Sequence, residues 1–343
     1  MARIINADSI GEELRKRLLR SFQSGHINFL LGSGASQPAI PTAGPIEAEI
    51  SRLISARNDE AACLKMYAFL RMVYEPTNKL INDDEDENNR ATLRCYEALL
   101  KSIEEILLAR RTTILPRQAT VFTTNYDLFL EKASAACPST ILNDGFSRPP
   151  SLGHQMEYSS RNFFRATYNT GNLYEYRVEI PCINLIKLHG SLSWAKNKDD
   201  ILLRVEAMRL PNNDATVQER MKFIAACAVV LPQAAKFRET LMDRTYYDLL
   251  RIYANSLDRE NTVLIVFGFS FGDEHIRDIT MRALKNPTLR LMIFAFNAAA
   301  KDEFAQMFDQ YSNVEIVAPG DEQELHFEHF NDALGHILRA NQG

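Results

Sequence analysis

TVLIVFGFSFGDEHI, residues 262–276, holds the reading on which the fold turns. Thr262 to Phe267 is the clearest strand in the chain, and its apolar run is far too short to span a bilayer. It runs into a glycine-containing polar turn and then into a stretch where Ile276, Ile279, Ala283 and Leu284 recur at helical spacing. Strand, polar turn and helix in succession are the unit of a parallel sheet with crossover helices.

Working outward, the unit recurs. Asn28 to Leu31 is a short apolar strand entering GSGAS (residues 32–36), and Ile46, Ile50, Leu53 and Ile54 mark a helix from about Pro45. Ala119 to Thr123 is a second strand, ending in TTNYD (123–127). Ile183 to Leu188 is a third, ending in HGS (189–191), and Arg290 to Phe296 is a further one, ending at Asn297. Helical spacing also covers Glu97 to Leu108, through Leu99, Leu100, Ile103, Ile106 and Leu107, and Tyr246 to Leu257. The acidic run NDDEDENN (82–89) is expected to be a solvated loop, because like charges repel and it has no face to bury. Residues 138–182, rich in Pro, Gly, Asn, Ser and aromatics, are expected to form irregular structure and short strands around a cleft.

The predicted fold is therefore α/β: a Rossmann-like, mostly parallel sheet with helices on both faces and a helical insertion. Such sheets bind ligands beyond the carboxyl ends of their strands, where all four turns lie. The 343 residues suffice for one large domain or two ordinary ones. We expect a single domain, 1–343, with a core over about 25–300, a helical insertion over about 45–110 and a helical tail over about 320–343.

A composition that is 46% hydrophobic and 24% charged is that of an ordinary globular chain, neither disordered nor membrane-spanning. The net charge of −5 argues against an electrostatic grip on nucleic acid, which needs clustered Lys and Arg, so no direct nucleic-acid binding is expected. MARIINADSIGEELRKRLL reads as a polar lead into an amphipathic helix near Gly11 to Phe22, without the apolar core of a signal peptide, and a cytoplasmic location is expected. Cys63, Cys95, Cys137, Cys182 and Cys227 are widely spaced with no CxxC pair, as befits reduced buried thiols rather than a disulfide framework or a four-thiolate zinc site.

Each turn has a plain reading and a chemical one. In Gly32-Ser33-Gly34-Ala35-Ser36 the glycines serve either a tight turn or the approach of backbone N–H groups to a pyrophosphate. Asn125, with Thr124 and Asp127, serves either as a helix cap or, having both donor and acceptor, to orient a water or ribose hydroxyl. His189 is either hydrogen-bonded scaffold or a general base.

GSGAS, TTNYD, KLHGS (187–191) and GFS with Asp273 occur together in the order and approximate spacing of the sirtuin family, and the chain resembles that family over about residues 25–300. The pairing of TTNYD with KLHGS is the most specific part. The resemblance implies NAD⁺ as ligand, with Gly32, Ser33, Gly34 and Ser36 facing its diphosphate and nicotinamide side. Thr124, Asn125 and Asp127 would lie near the nicotinamide ribose, with His189 as the base. Gly268 and Ser270 would contact the far half, Asn297 would reach the adenosine end, and Asp273 would be either a contact or the N-cap of the helix that DEHI opens.

Two departures redirect the expected activity. Deacetylating sirtuins follow the glycine turn with a Pro-Asp-Phe-Arg segment, where this chain has Ile40-Pro41-Thr42-Ala43-Gly44, and they carry two CxxC pairs on a zinc module, of which this chain has none. The pattern is more similar to the sirtuin-like domains of bacterial anti-phage defence proteins, which hydrolyse NAD⁺. That resemblance implies an NAD⁺ hydrolase without zinc or other metal. The alternatives are an NAD⁺-dependent deacylase or ADP-ribosyl transferase, and a non-catalytic scaffold sensing NAD⁺ or ADP-ribose. It also implies control from outside, through a homo-oligomer or a hexameric DNA-translocating ATPase of the HerA type. Leu14, Leu18 and Met66 are expected either as exposed apolar interface positions or as packed on the protein's own core, with no membrane involved.

Overall fold

The computed structural model describes residues 2–7, 12–42, 44–111, 114–148, 155–171, 177–197, 200–204, 210–212, 214–230, 242–320 and 322–338. The strands are β1 (Arg3–Asn6), β2 (His26–Leu31), β3 (Gln118–Thr123), β4 (Ile141–Asn143), β5 (Phe146–Ser147), β6 (Glu157–Tyr158), β7 (Tyr168–Thr170) and β8 (Arg177–Glu179). They continue with β9 (Cys182–Lys187), β10 (Gly190–Asn197), β11 (Asp200–Leu203), β12 (Cys227–Val229), β13 (Thr262–Phe267), β14 (Arg290–Phe294) and β15 (Val314–Ala318). The helices are α1 (Glu12–Ser24), α2 (Gly44–Ser55), α3 (Asp59–Ile81), α4 (Glu87–Leu108), α5 (Phe129–Ala133), α6 (Val217–Ala226), α7 (Met242–Leu257), α8 (Glu274–Ala283), α9 (Ala298–Met307) and α10 (Phe327–Leu338).

Eight strands form one parallel sheet in the order β1-β15-β14-β13-β2-β3-β9-β4. From β2 the chain steps outward to β3 and β9, then returns to the other side of β2 at β13 and proceeds through β14 and β15. The direction of winding therefore reverses between β2 and β13, which is where an open α/β sheet splays its crossover connections and leaves a ligand crevice.

Side chains alternate across this sheet and both faces are covered. Phe29, Leu31, Val121, Leu185, Ile265, Phe267 and Phe294 pack with Leu18 of α1, Ile50 of α2, Phe69 of α3, Leu99 of α4 and Phe330 of α10. Their neighbours in sequence, Leu30, Phe122, Ile186, Leu264, Val266 and Ile293, pack with Leu249 and Tyr253 of α7, Ile276 of α8 and Phe304 of α9. Burial on two faces is the reason these strands read as continuous apolar runs rather than as alternating ones. β2, β3, β9 and β13, the strands that carry the four motif turns, thus lie side by side in the parallel sheet that the sequence predicts, although the turn after β9 leads into strand β10 rather than a helix, and α2, α3 and α4 are inserted between β2 and β3.

A smaller antiparallel sheet, ordered β12-β10-β11-β6-β5, is cored by Phe146, Tyr158, Phe163 and Trp194, with β7 and β8 as a separate pair. It draws its first strands from the segment expected to hold short strands. All five cysteines are buried and free, and burial pushes the thiols of Cys95 and Cys137 up to about 11 and those of Cys182 and Cys227 up to about 12. Among the described residues no helix is long and apolar enough to cross a membrane.

At four points the structure revises or completes these expectations. NDDEDENN is a loop only as far as Asp86, whose carboxylate accepts the Asn89 N–H at 3.0 Å and opens α4, and Asn89 is buried with its amide on the Pro76 carbonyl. Of the two alternatives for Leu18 and Met66, the structure has the core one; the Leu14 side chain, like Gly11, lies outside the described residues. The strand predicted to run to Phe296 stops at Phe294, because Asn297 caps α9 by accepting the Ala300 N–H at 3.0 Å. β1 and β15, at one edge of the large sheet, had no counterpart in the sequence reading.

Candidate functional site

The turns after β2 and β13 meet at the reversal point, backbone against backbone. Gly32 N–H donates to the Phe267 carbonyl and Gly34 N–H to the Gly268 carbonyl, both at 3.0 Å. A Cβ on Gly32 would stand 2.3 Å from the Gly268 oxygen, and one on Gly34 would stand 2.8 Å from the Gly268 Cα; Gly268 itself has φ +66°. Only glycine fits this interlock. The amides of Gly32 and Gly34 are occupied by β13 and its turn, and Ala35 N–H closes on the Gly32 carbonyl.

Asn125 lies two residues beyond β3 and is buried. Its Nδ2 donates to the Gly32 carbonyl at 2.9 Å and to Ser36 Oγ at 2.9 Å, and lies 3.3 Å from the Tyr96 hydroxyl. No donor among the described residues reaches its Oδ1. Ser36 Oγ in turn donates to Asp127 Oδ2 at 2.6 Å, and Asp127 Oδ1 accepts the Phe129 N–H at the start of α5. Asp127 is thus a brace for Ser36 and a turn former. Beneath it, buried Lys187 reaches the Asp127 carbonyl, Ser191 Oγ at 3.2 Å and Glu131 Oε1 at 2.8 Å. Burial pushes the Glu131 carboxyl up, against the opposing pull of Lys187.

His189 follows β9, whose residue Lys187 pairs in register with Thr123 of β3, so the two polar turns leave the sheet side by side. The His189 side chain is 15% exposed, and its Nε2 lies 3.0 Å from Asp273 Oδ2. Gly190, at φ +82° with a Cβ position only 2.1 Å from the Ala228 carbonyl, lets the chain turn from β9 into β10 directly behind the imidazole. The rings of Tyr126 and Tyr246 stand 6.4 and 6.2 Å from that of His189.

Asp273 is the N-cap of α8, its Oδ1 accepting the Ile276 N–H, and its Oδ2 lies 3.0 Å from His189 Nε2. Burial raises its carboxyl, but the hydrogen bond and charge of His189, with the capped N–H, outweigh burial and hold it below the usual carboxylate range. The approach to this cap is fixed by Phe271, buried against Phe304 and Phe308 at a left-handed φ of +59°, which a non-glycine residue adopts only when packing imposes it.

The remaining predicted residues are more peripheral. Ser33 and Thr124 are half-buried at the crevice, and Thr124 N–H donates to the Leu31 carbonyl at 3.3 Å. Ser270 is exposed, with Oγ accepting the Gly272 N–H at 3.4 Å. Asn297 stands one strand further out and its Oδ1 is engaged in capping α9. Tyr96 was missed: its spacing with Leu99, Leu100 and Ile103 reads as one more apolar position on a helix, and only the fold brings its hydroxyl to Asn125. Two cavities of about 420 and 280 Å³ open at the amino-terminal ends of the strands, and neither is lined by a motif residue. Among the described residues there is no cluster of His, Cys, Asp and Glu able to hold a metal ion.

A family model described as a SIR2-like domain matches residues 119–317, more than half of the chain, and takes in TTNYD, KLHGS and GFSFGD while leaving GSGAS outside. No curated protein matches the chain.

Proposed function

The chain belongs to the SIR2-like family, and from that premise we propose that it hydrolyses NAD⁺ to nicotinamide and ADP-ribose. The observation that carries this reading is the state of Asn125: its Nδ2 is fixed by protein acceptors while no donor among the described residues reaches its Oδ1, beside the reversal point of the sheet. A carboxamide oxygen so presented accepts a hydrogen bond from a water or a ribose hydroxyl.

In this reading Asn125 holds a water at the nicotinamide ribose. The bond from C1′ to the pyridinium nitrogen breaks, its electron pair goes to the ring, and nicotinamide leaves neutral. Water adds to C1′, and its proton passes to His189. With Asp273 ionised and accepting from Nε2–H, the imidazole lone pair is on Nδ1, which is the atom assigned as base. General base assistance contributes about 10²–10⁴-fold. Ser33, Thr124 and Ser270 supply hydroxyls to the dinucleotide, Gly32, Gly34 and Gly268 give it close backbone surface, and Asn297 offers its remaining amide N–H to the adenosine end. The scheme requires no metal.

We place the activity in anti-phage defence, with the whole chain acting as one NAD⁺-binding unit. An always-active NAD⁺ hydrolase would kill its host. Control is therefore assigned to homo-oligomerisation or to a partner such as a hexameric DNA-translocating ATPase of the HerA type.

The test is to incubate the pure chain with NAD⁺, with and without an acetyl-lysine peptide, and to quantify nicotinamide and ADP-ribose. Equal release of both without peptide is expected, with Asn125→Ala and His189→Ala each silent yet folded. Nicotinamide appearing only with peptide would establish the deacylase reading, and binding without cleavage the scaffold reading.

A further inference from the structure

The side chain of Asn125 is held from a distant part of the chain. Tyr96 of α4 is fully buried, its ring stacked on Phe129 at 5.8 Å and met edge-on by Phe327 of α10 at 5.1 Å. Its hydroxyl lies 3.1 Å from Ser36 Oγ and 3.3 Å from Asn125 Nδ2.

Proton counting fixes the direction of every bond here. Ser36 has one hydroxyl proton, and the 2.6 Å contact to Asp127 Oδ2 takes it. At the contact between the two hydroxyls the phenol is consequently the donor. Burial, reinforced by the charge of Asp127, pushes the Tyr96 phenol well above its ordinary value, so that proton is retained at neutral pH. Ser36 Oγ then accepts from both Tyr96 and Asn125, while the Tyr96 oxygen shares the same Asn125 N–H. The other Asn125 N–H goes to the Gly32 carbonyl. A flipped carboxamide would set Oδ1 against that carbonyl oxygen at hydrogen-bond distance, acceptor against acceptor, and against a serine with no proton left to give. The side chain therefore has one orientation.

We infer that Tyr96 is a positioning residue for Asn125: its hydroxyl, donated to Ser36, completes the set of acceptors that turns the Asn125 carboxamide oxygen toward the substrate. The inference rests on the hydrolase reading for its kinetic consequence, and on geometry alone for its effect on the amide. It ties the inserted helix α4 to the reacting centre through one oxygen atom.

Tyr96→Phe tests it, because it preserves the ring contacts with Phe129 and Phe327 and removes only the hydroxyl. Two measurements are made on the full chain. In the first, nicotinamide release should show kcat lowered about fivefold or more with KM little changed, as expected when one neutral hydrogen bond supporting the transition state is lost. In the second, asparagine-selective ¹⁵N labelling follows the Asn125 side-chain NH₂ signals, assigned by their loss in Asn125→Ala. In Tyr96→Phe these signals should shift and exchange faster with solvent, at a melting temperature close to that of the parent chain. Unchanged Asn125 signals overturn the inference, whether turnover is retained or falls in step with the melting temperature. If the parent chain releases no nicotinamide, the hydrolase reading fails, and the amide signals alone decide the assignment of Tyr96.

Discussion

At the scale of single residues, the pairing of His189 with Asp273 makes the sharpest demand. Asp273→Asn keeps an oxygen for the Ile276 N–H, and asparagine is as good an N-cap as aspartate, so α8 should persist. What disappears is the charge that fixes the imidazole tautomer. We expect nicotinamide release to fall about 100-fold, the lower end of what general base catalysis contributes, with the fold intact. Near-parental turnover in a folded Asp273→Asn chain would dissociate Asp273 from the chemistry. The same residue has a signature in acid. Its folded-state carboxyl is held below the usual range, so its contribution to stability is fully present above that range and is lost as pH falls through the lower folded value. Melting temperatures from about pH 5 downward should therefore decline more steeply for the parent chain than for Asp273→Asn, and parallel curves would contradict the assigned pairing.

Among elements, the turn from β9 into β10 is the least tolerant. Gly190→Ala combines a positive φ with a methyl group 2.1 Å from the Ala228 carbonyl oxygen, and neither backbone can yield without tearing β10 from β12. A loss of about 2 kcal/mol or more in urea unfolding is expected, and a loss below about 0.5 kcal/mol would show that the turn relaxes freely. At the start of α4, Asp86→Ala should cost about 1 kcal/mol by removing the cap on Asn89 N–H, read by the same unfolding curves. These elements also show what was legible in advance. β2, β3, β9 and β13 are buried on both faces, so their sequences alone declare them. β15, Val-Glu-Ile-Val-Ala, carries Glu315 in its middle, and that charge is tolerable because Arg17 of α1 reaches it at 2.8 Å. A partner 298 residues away leaves no local trace. β1 is an edge strand of four residues with three of them exposed, too short to show a period. The site divides in the same way: Asn125 and His189 stand in short polar motifs that announce themselves, whereas Tyr96 and the second bond of Asp273 exist only after folding.

For the whole molecule, the proposed function raises the question of how control would reach a site built into the middle of the sheet. Leu18 and Met66 are sealed in the core, so any assembly must use other surfaces. If the proposed control holds, mass and NAD⁺ turnover measured together across a dilution series, alone and with a hexameric DNA-translocating ATPase added, should fall together as the assembly dissociates. A stable monomer turning over at full rate without a partner would end the assignment of external control. α10 gives this question a physical handle. Its Phe327 forms the wall behind Tyr96, and its Asn331 bonds to the Cys95 carbonyl at 2.9 Å, one residue from that tyrosine. α10 and the Asn125 carboxamide are thus connected in series through a single aromatic side chain. On the proposed reading, a protein that grips or displaces α10 would hold a lever on the Asn125 carboxamide oxygen without ever entering the crevice, and a perturbation of α10 would be felt at the proposed site.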